Sequence, residues 1–336
     1  MPTIVHFIDV GQGNMVLIEA ASGRCFVFDC NITNDNEERV LDYVAEQIGE
    51  GKHLHAFICS HRDADHMRGV KKLHARFPIG KIWDSGYPGT TTDSSEYTAY
   101  MDLRRSLGNR VIDKCTYNDF GRTRLRFLSA KDDRLASNAN AQGIVIKVEQ
   151  RNDAMDRIEG SAMLPGDSDA ETWRSGILAD YNKPDISSNI LLAAHHGSNS
   201  FFDDPNLTYY YKDHLAAIKP AMTIVSVGPN SHGHPKDTAM KYYREYSTGS
   251  DAGNKVYRTD TKPFGVMIAI ACIVAFGFEF DWSVEHGLGT DPLIIGATGV
   301  SACILVWWTF AVKDNWVREA GDAYAHALLS AIDGIE

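Results

Sequence analysis

Ser60-His61-Arg62-Asp63-Ala64-Asp65-His66 places two histidines and two aspartates within six residues. The apolar run before it, Ala56-Phe57-Ile58-Cys59, reads as a buried strand, and Arg68-Gly69-Val70 leads into a helical pattern towards Arg76. Strand ends and helix starts are where an α/β sheet presents its functional groups. His61 and Asp63 can converge from one side of such a loop, and Asp65 and His66 from the other. No lysine stands nearby to neutralise the carboxylates. The density therefore favours one or two divalent cations over a polar loop that is merely rich in His and Asp.

With 336 residues, one large domain or two are expected. Hydrophobic residues make up 44% and charged residues 23%, an ordinary balance for a chain that buries a core. The net charge of −11 argues against a protein that coats nucleic acid by charge alone, but leaves open an enzyme whose cations meet the phosphates. The six cysteines form no Cys-x-x-Cys pair and read as scattered buried thiols in a reducing compartment. No basic stretch followed by an apolar run opens the chain, so no secretory signal is expected.

Outward from the motif, Thr3 to Asp9 is a predicted strand that runs into the Gly11-Gln12-Gly13 turn. Asn14 to Glu19 and Arg24 to Phe28 read as the next two strands. Glu37 to Ile48 is an amphipathic helix with Val40, Tyr43, Val44 and Ile48 on one face. Further strands are expected at 81–83, 124–128, 144–149, 161–164, 189–194, 222–227 and 255–258. Helices are expected at 94–107, 169–179, 207–218 and 237–246. Strands repeatedly end in small turns loaded with Asp, His, Asn and Ser: at Asp9, His61, Asp167, His195 and Asn230. That habit suggests one edge of a layered sheet carrying one site.

Two cations about 3.5–4 Å apart commonly share a bridging carboxylate. Asp167, after a strand and a glycine, is a natural bridge. The expected ligands are His61, Asp63 and Asp167 on one metal, and Asp65, His66, Asp167 and one of His195 and His196 on the other. The remaining histidine of that pair would face substrate. The alternative for His195-His196, a core pair, would be costly if buried without partners.

Together, Asp9-Val10-Gly11-Gln12-Gly13, His61-x-Asp63-x-Asp65-His66, Gly166-Asp167, His195-His196-Gly197-Ser198 and Ser226-Val227-Gly228 with Gly233-His234-Pro235 resemble the metallo-β-lactamase fold. The resemblance is strongest to the branch that includes the cytosolic nuclease-like domain of the DNA-uptake channel protein ComEC. It covers roughly residues 3 to 260, in the family's order. It implies an α/β fold, a four-layered αβ/βα sandwich with the metals at the sheet edges. It also implies a water activated between the metals and oriented by Asp65. Asn14 stands where that branch usually has Asp, which puts an acidic role there in doubt. Many lactamases place His at the position of Asp63 and another His midway along the chain. Between His66 and His195 this sequence has only His74, which reads as part of a helix. A site of three Asp and about three His is hard enough to accept Mn²⁺ or Mg²⁺ as well as Zn²⁺. Hard cations with a carboxylate bridge suit phosphodiester cleavage.

Ser198, Asn230, Ser231 and His234 are the expected phosphate contacts or proton donors, with His234 protonating the leaving oxygen. The bland alternative for 230–235 is a turn before a helix, with Pro235 at its first position. Gln12 and Asn14 face the same edge as further substrate-side candidates.

Beyond residue 260 the pattern changes. Pro292 to Val312 is 21 residues without a charge, the length of a membrane span, and Phe264 to Phe278 is a shorter uncharged run. The link between them carries Glu279, Asp281, Glu285 and Asp291 and no Lys or Arg, whereas basic residues flank both outer ends. This predicts a transmembrane helical hairpin over 264–312 in the bacterial inner membrane, with residues 1–260 in the cytoplasm and an amphipathic cytoplasmic tail over 313–336. The alternatives are one span, with Gly265 to Ile270 as a closing strand, or a buried soluble pair. The leading functional expectation is a membrane-tethered two-metal phosphodiesterase that cleaves DNA. The second is a hydrolase of a small phosphodiester or ester, such as a cyclic nucleotide or a phosphorylcholine-like substrate. The third is a non-catalytic, metal-stabilised module that anchors a partner at the membrane.

Overall fold

Phe26 and Phe28 point to one face of a strand and Val27 to the other, and both faces are buried. A strand covered on both sides requires layers on both sides. The computed structural model describes residues 1–248 and 255–260. The chain divides into two units, and every described residue lies in the first, Met1–Ser250 with Asn254–Gly277. The second unit, Asp251–Gly253 with Phe278–Glu336, lies outside the described residues, as do the expected spans over 264–312 and the tail over 313–336. No helix among the described residues is long and apolar enough to cross a membrane.

In chain order the first half runs β1 (Ile4–Phe7), β2 (Val16–Glu19), β3 (Cys25–Phe28), the two-residue β4 (Cys30–Asn31) and α1 (Glu37–Ile48). Then come β5 (Leu54–Ile58), α2 (Ala64–Met67), α3 (Val70–Arg76), β6 (Ile82–Asp84), α4 (Ser95–Leu107) and β7 (Asn109–Val111). A sheet of order β1-β2-β3-β5-β6-β7 results, antiparallel from β1 to β3 and parallel from β3 to β7. Ser94 starts α4 by accepting the Tyr97 N–H on its hydroxyl, as a capping serine should.

The second half runs β8 (Thr116–Phe120), β9 (Thr123–Ser129), β10 (Val145–Arg151) and β11 (Ile158–Leu164). A π-helical stretch, Thr172–Ile177, continues into α5 (Leu178–Asp180) and α6 (Lys183–Ile186). β12 (Ile190–Leu192), α7 (Asp213–Ile218), β13 (Met222–Val225), α8 (Asp237–Tyr246) and β14 (Val256–Arg258) complete it. The second sheet has the order β14-β13-β12-β11-β10-β9-β8, with β11 to β14 parallel.

Between the sheets lie Phe7, Phe26, Phe28, Trp83, Phe127, Ile146 and Leu164. Each such large side chain contributes roughly 1.5–3 kcal/mol on burial. Outside the first sheet, Val40 and Val44 of α1, Leu73 of α3 and Leu103 of α4 pack with Val27 and Phe57. Outside the second, Trp173, Leu215 and Tyr243 pack with Val145, Leu191 and Val225. The order is helix, sheet, sheet, helix: the four layers expected.

Several elements differ from expectation. The helix expected over 207–218 begins only at Asp213, because the Tyr209-Tyr210-Tyr211 run precedes it as irregular chain. The helix expected over 169–179 is π-helical for six residues. β7 and β8 carry no alternating apolar signal, since β7 is exposed throughout.

Parallel pairing fixes where the functional ends fall. β3 and β5 are parallel, so Asp29 and the Ser60–His66 loop leave the same edge. β11, β12 and β13 are parallel, so Asp167, His195-His196 and Gly228–His234 share an edge too.

Candidate metal centre

Asp167 stands between two sets of side chains. Its Oδ2 lies 3.4 Å from His195 Nε2 and 3.9 Å from His61 Nε2, which in turn lies 3.7 Å from Asp63 Oδ2. Its Oδ1 lies 3.2 Å from His66 Nε2 and 3.6 Å from His196 Nε2. Asp65 Oδ2 closes the second set, 3.2 Å from His196 Nε2 and 3.8 Å from His66 Nε2. The four ligand atoms of Asp65, His66, Asp167 and His196 all fall within 4.8 Å of one another. Nitrogen and oxygen ligands held at about 2.1 Å in a tetrahedral set lie roughly 3.4 Å apart, so the spacings fit a cation among Asp65, His66, Asp167 and His196, while the first set is looser, its neighbouring atoms 3.4, 3.7 and 3.9 Å apart.

The histidine tautomers fit the same reading. His196 Nδ1 donates to the Ser226 carbonyl at 3.0 Å, and His66 Nδ1 donates to Asp29 Oδ2 at 2.8 Å. Ser60 gives its one proton to Asp29 Oδ2 at 2.7 Å, so its oxygen accepts from His61 Nδ1 at 3.1 Å. Ser200 gives its proton to Ser198 Oγ at 3.2 Å and accepts from His195 Nδ1 at 2.9 Å. Every candidate ligand histidine is thus anchored through Nδ1, which leaves Nε2 as the atom aimed at the centre and free to ligate once its proton is displaced. The Nε2 atoms of His61, His66 and His196 and the Oδ1 of Asp167 are buried and lack a hydrogen-bond partner among the described residues. Orphaned polar atoms of this kind are costly unless a cation satisfies them.

The electrostatics show what a cation would replace. Burial works against charge on Asp167, but His195, His66 and His196 outweigh it and hold the carboxyl well below its usual range. Burial likewise opposes charge on His66, yet Asp167, Asp65 and Asp29 hold its imidazole well above the ordinary value. A proton on His66 stands where a cation would sit, so cation binding must release it. Burial and the neighbouring His66 push His61 down, despite Asp167 and Asp63.

Both adjacent histidines approach Asp167, and both line the cavity over it. His195 and His196 both adopt left-handed backbone, with φ of 49° and 54°. His195 Nε2 approaches Asp167 Oδ2, the oxygen that also faces His61, while His196 Nε2 approaches Oδ1 and stands with Asp65 and His66. Asp167 reaches the centre through a tight turn at Gly166, whose φ is 56° and where a Cβ would lie 2.8 Å from Ser60 Cβ.

The substrate-side candidates fall in different places. His234 lines the cavity of about 440 Å³ over the centre, together with Gln12, Thr90, Asn140, Ser200 and His232. Burial, then His195 and His196, push the His234 imidazole down to about 4. At neutral pH it therefore offers a neutral N–H donor towards the cavity. Asn230 is spent on its own loop: Nδ2 donates to the Gly228 and His234 carbonyls, and Oδ1 accepts the His232 and His234 N–H groups. It shapes the loop that presents His234 and has no bond to spare for phosphate. Ser231 is exposed and Ser198 is buried, and neither lines the cavity; Ser198 acts through Ser200. Gln12 reaches the cavity, with a buried Oε1 that lacks a partner among the described residues. Asn14 is fully buried behind the centre, its N–H donating to the Asp65 carbonyl at 3.4 Å. Asp29, Thr90 and Ser200 are participants that sequence reading missed. Asp29 ends an apolar strand, the same signal that marked Asp167; Thr90 and Ser200 carry none.

A profile of the Metallo-beta-lactamase superfamily matches residues 8–133, a span that holds Asp29 and His61–His66 but not Asp167, His195 or His196. The described architecture, two sheets flanked by helices, is the α/β sandwich of that superfamily. No curated protein matches the chain. Among solved structures, it is similar to CmlA, a diiron beta-hydroxylase from Streptomyces venezuelae: 11% identity, TM-score 0.46, covering 77% of this chain and 53% of that one. The chain thus spans about half the length of that protein. It is also similar to the metallo-beta-lactamase fold protein YhfI from Bacillus subtilis, at 12% identity and TM-score 0.43, covering 77% of this chain and 98% of that one. A metallo hydrolase from the archaeon Ignicoccus hospitalis gives 12% identity and TM-score 0.45, covering 78% and 95%.

Proposed function

We propose that the chain is a two-metal phosphodiesterase, with DNA as its polymer substrate. The observation that carries this reading is the division of Asp167 between two ligand sets, Oδ1 towards His66 and His196 and Oδ2 towards His61 and His195. Two divalent cations supply, when bound, water activation and neutralisation of charge on both the attacking and leaving oxygens of a phosphoryl centre. The chain's own residues divide the remaining work. Asp65, with an oxygen on the second set, orients the attacking water. The neutral His234 hydrogen-bonds the leaving oxygen.

Charge favours a diester over a monoester. The cavity wall contains Asp63, Asp65, Asp167 and Asp169 and no Lys or Arg. Four carboxylates balance two divalent cations, so the site tolerates one phosphate charge better than two. A polymer needs further cationic contacts. A neighbouring groove of about 540 Å³ shares Gln12 with the cavity and carries Arg39 and Arg68 beside Asp9, Asp35 and Asp260, so it offers an extended substrate length and two guanidinium groups but no net positive charge. The small-diester reading is favoured by the cavity wall itself, which has no basic group to track a backbone.

The test is hydrolysis by purified protein with Mn²⁺, Zn²⁺ or Mg²⁺ on plasmid, single-stranded DNA, RNA, bis-p-nitrophenyl phosphate and p-nitrophenyl phosphate. Cleavage of DNA and of the diester is expected, best with Mn²⁺ and weakened by salt, with the monoester at least roughly tenfold slower. Intact polynucleotides alongside a cleaved diester would move the assignment to a small substrate. No hydrolysis with any metal would favour a non-catalytic module.

The tether over 264–312 belongs to the same proposal and rests on its uncharged runs, the acidic link and the basic flanks. Full-length protein is expected in the inner-membrane fraction, released only by detergent, with cytoplasmic activity of a reporter fused after Glu336. Recovery in the soluble fraction without detergent would remove the tether; periplasmic reporter activity would leave a single span.

A further inference from the structure

Thr90 holds both ends of the Asp63 carboxylate. Its backbone N–H donates to Oδ1 at 2.7 Å and its hydroxyl donates to Oδ2 at 3.0 Å. The segment that carries it, residues 85–94, contains no helix or strand. It is seated on the metal motif at Gly89, where a Cβ would lie 2.1 Å from the Arg62 carbonyl oxygen. That carbonyl has little room to retreat, because the buried Arg62 side chain is bound to Asp84 at 3.1 Å, and Tyr100 and Arg104 hold Asp84 in turn.

Asp63 needs such support. Its side chain is 26% exposed, against 3% for its neighbour His61, and Thr90 supplies its only side-chain hydrogen bonds among the described residues. A solvent-facing carboxylate left to itself samples several rotamers, and only one of them aims Oδ2 at the space shared with His61 and Asp167. Each carboxylate oxygen has two lone-pair sites, so accepting one bond from Thr90 leaves each oxygen a free site for a cation. In the second set, His66 and His196 are buried and anchored to Asp29 and Ser226, and Asp65, though 32% exposed, has no contact with the 85–94 segment among the described hydrogen bonds.

We infer that Thr90 is a positioning residue for the first cation site: by clamping Asp63 it sets the affinity of the His61–Asp63–His195 set, while leaving the Asp65–His66–His196 set untouched. The inference rests on the two-cation reading above. Two substitutions separate the contributions. Thr90→Val removes the hydroxyl bond and keeps the shape. Gly89→Ala forces the segment off the Arg62 carbonyl and so draws both Thr90 bonds away from Asp63.

The experiment is titration of the metal-stripped full chain in detergent with Mn²⁺, by calorimetry and by metal analysis after gel filtration, with thermal melting as the control for folding. Wild type is expected to bind two ions. Gly89→Ala is expected to weaken one of them about 10–100-fold, as loss of an outer-shell partner does, with the other unchanged. Thr90→Val should weaken the same ion less, and Thr90→Ser should restore it. If Gly89→Ala does not fold, Thr90→Val against Thr90→Ser decides. Two ions bound at wild-type affinity by Thr90→Val overturn the role of Thr90 alone. A wild type that binds a single ion overturns the two-cation reading, and this inference with it.

Discussion

Asp167→Asn is expected to leave a folded protein that holds at most one divalent cation and hydrolyses no diester above background. Asparagine keeps the shape and one carbonyl oxygen, so it can serve one of the two ligand sets. The amide nitrogen that replaces the other oxygen is a donor and cannot ligate. It would face either His66 and His196 or His61 and His195, all of which present Nε2 towards Asp167. Losing one cation removes half of the charge stabilisation and the shared activation of water, a loss on the order of 10³-fold or more in rate. Metal analysis and bis-p-nitrophenyl phosphate turnover, measured on one preparation, check the outcome. Two bound ions in Asp167→Asn with turnover within tenfold of wild type would show that Asp167 is not the bridge.

Much of this centre was legible in the sequence because its ligands follow strands. Apolar runs such as Ala56–Cys59 and Asn189–Ala194 mark strands, and polar residues directly after them fall at one edge. That rule found His61, Asp63, Asp65, His66, Asp167 and the His195-His196 pair. It could not divide the pair, because both residues adopt left-handed backbone, and backbone of that kind is uncommon outside glycine. It mistook Asn230 for a ligand-side group, since an asparagine that closes its own turn and one that binds phosphate look alike in sequence. It missed Thr90 because residues 85–94 have no periodicity, and their position follows from packing on Arg62 far from them in the chain. At the level of fold, the four layers followed from the strand and helix order. β7 was invisible because it is exposed throughout and carries no alternating apolar pattern.

Asp29 gives the sharpest test of how the centre is preorganised, because it touches no cation position yet fixes two ligands. It is fully buried, accepts the Ser60 N–H on Oδ1 at 2.7 Å, and takes the Ser60 hydroxyl and His66 Nδ1 on Oδ2 at 2.7 and 2.8 Å. Through Ser60 it also dictates that His61 donates from Nδ1. Its backbone is left-handed, with φ of 55°, a conformation asparagine tolerates, so Asp29→Asn changes the hydrogen bonding with little strain. The Ser60 N–H is a fixed donor and will claim the amide oxygen. The amide NH₂ then faces His66 Nδ1, which must become an acceptor, and the ring proton moves to Nε2, the atom that should ligate. Asp29→Asn is therefore expected to weaken the cation at the Asp65–His66–His196 set about 10–100-fold while the chain stays folded. In the metal-free protein, at a pH high enough to make the His66 ring neutral, its ¹⁵N shifts should report the proton on Nε2 in Asp29→Asn and on Nδ1 in wild type. Asp29→Ala should do worse, because it leaves buried donors unpaired at about 1–3 kcal/mol each and so lowers the melting temperature as well. Unchanged Mn²⁺ affinity in Asp29→Asn would mean that the imidazole is held by its ring packing against His61 and His196, whose centroids lie 4.0 and 5.4 Å away, and not by the carboxylate.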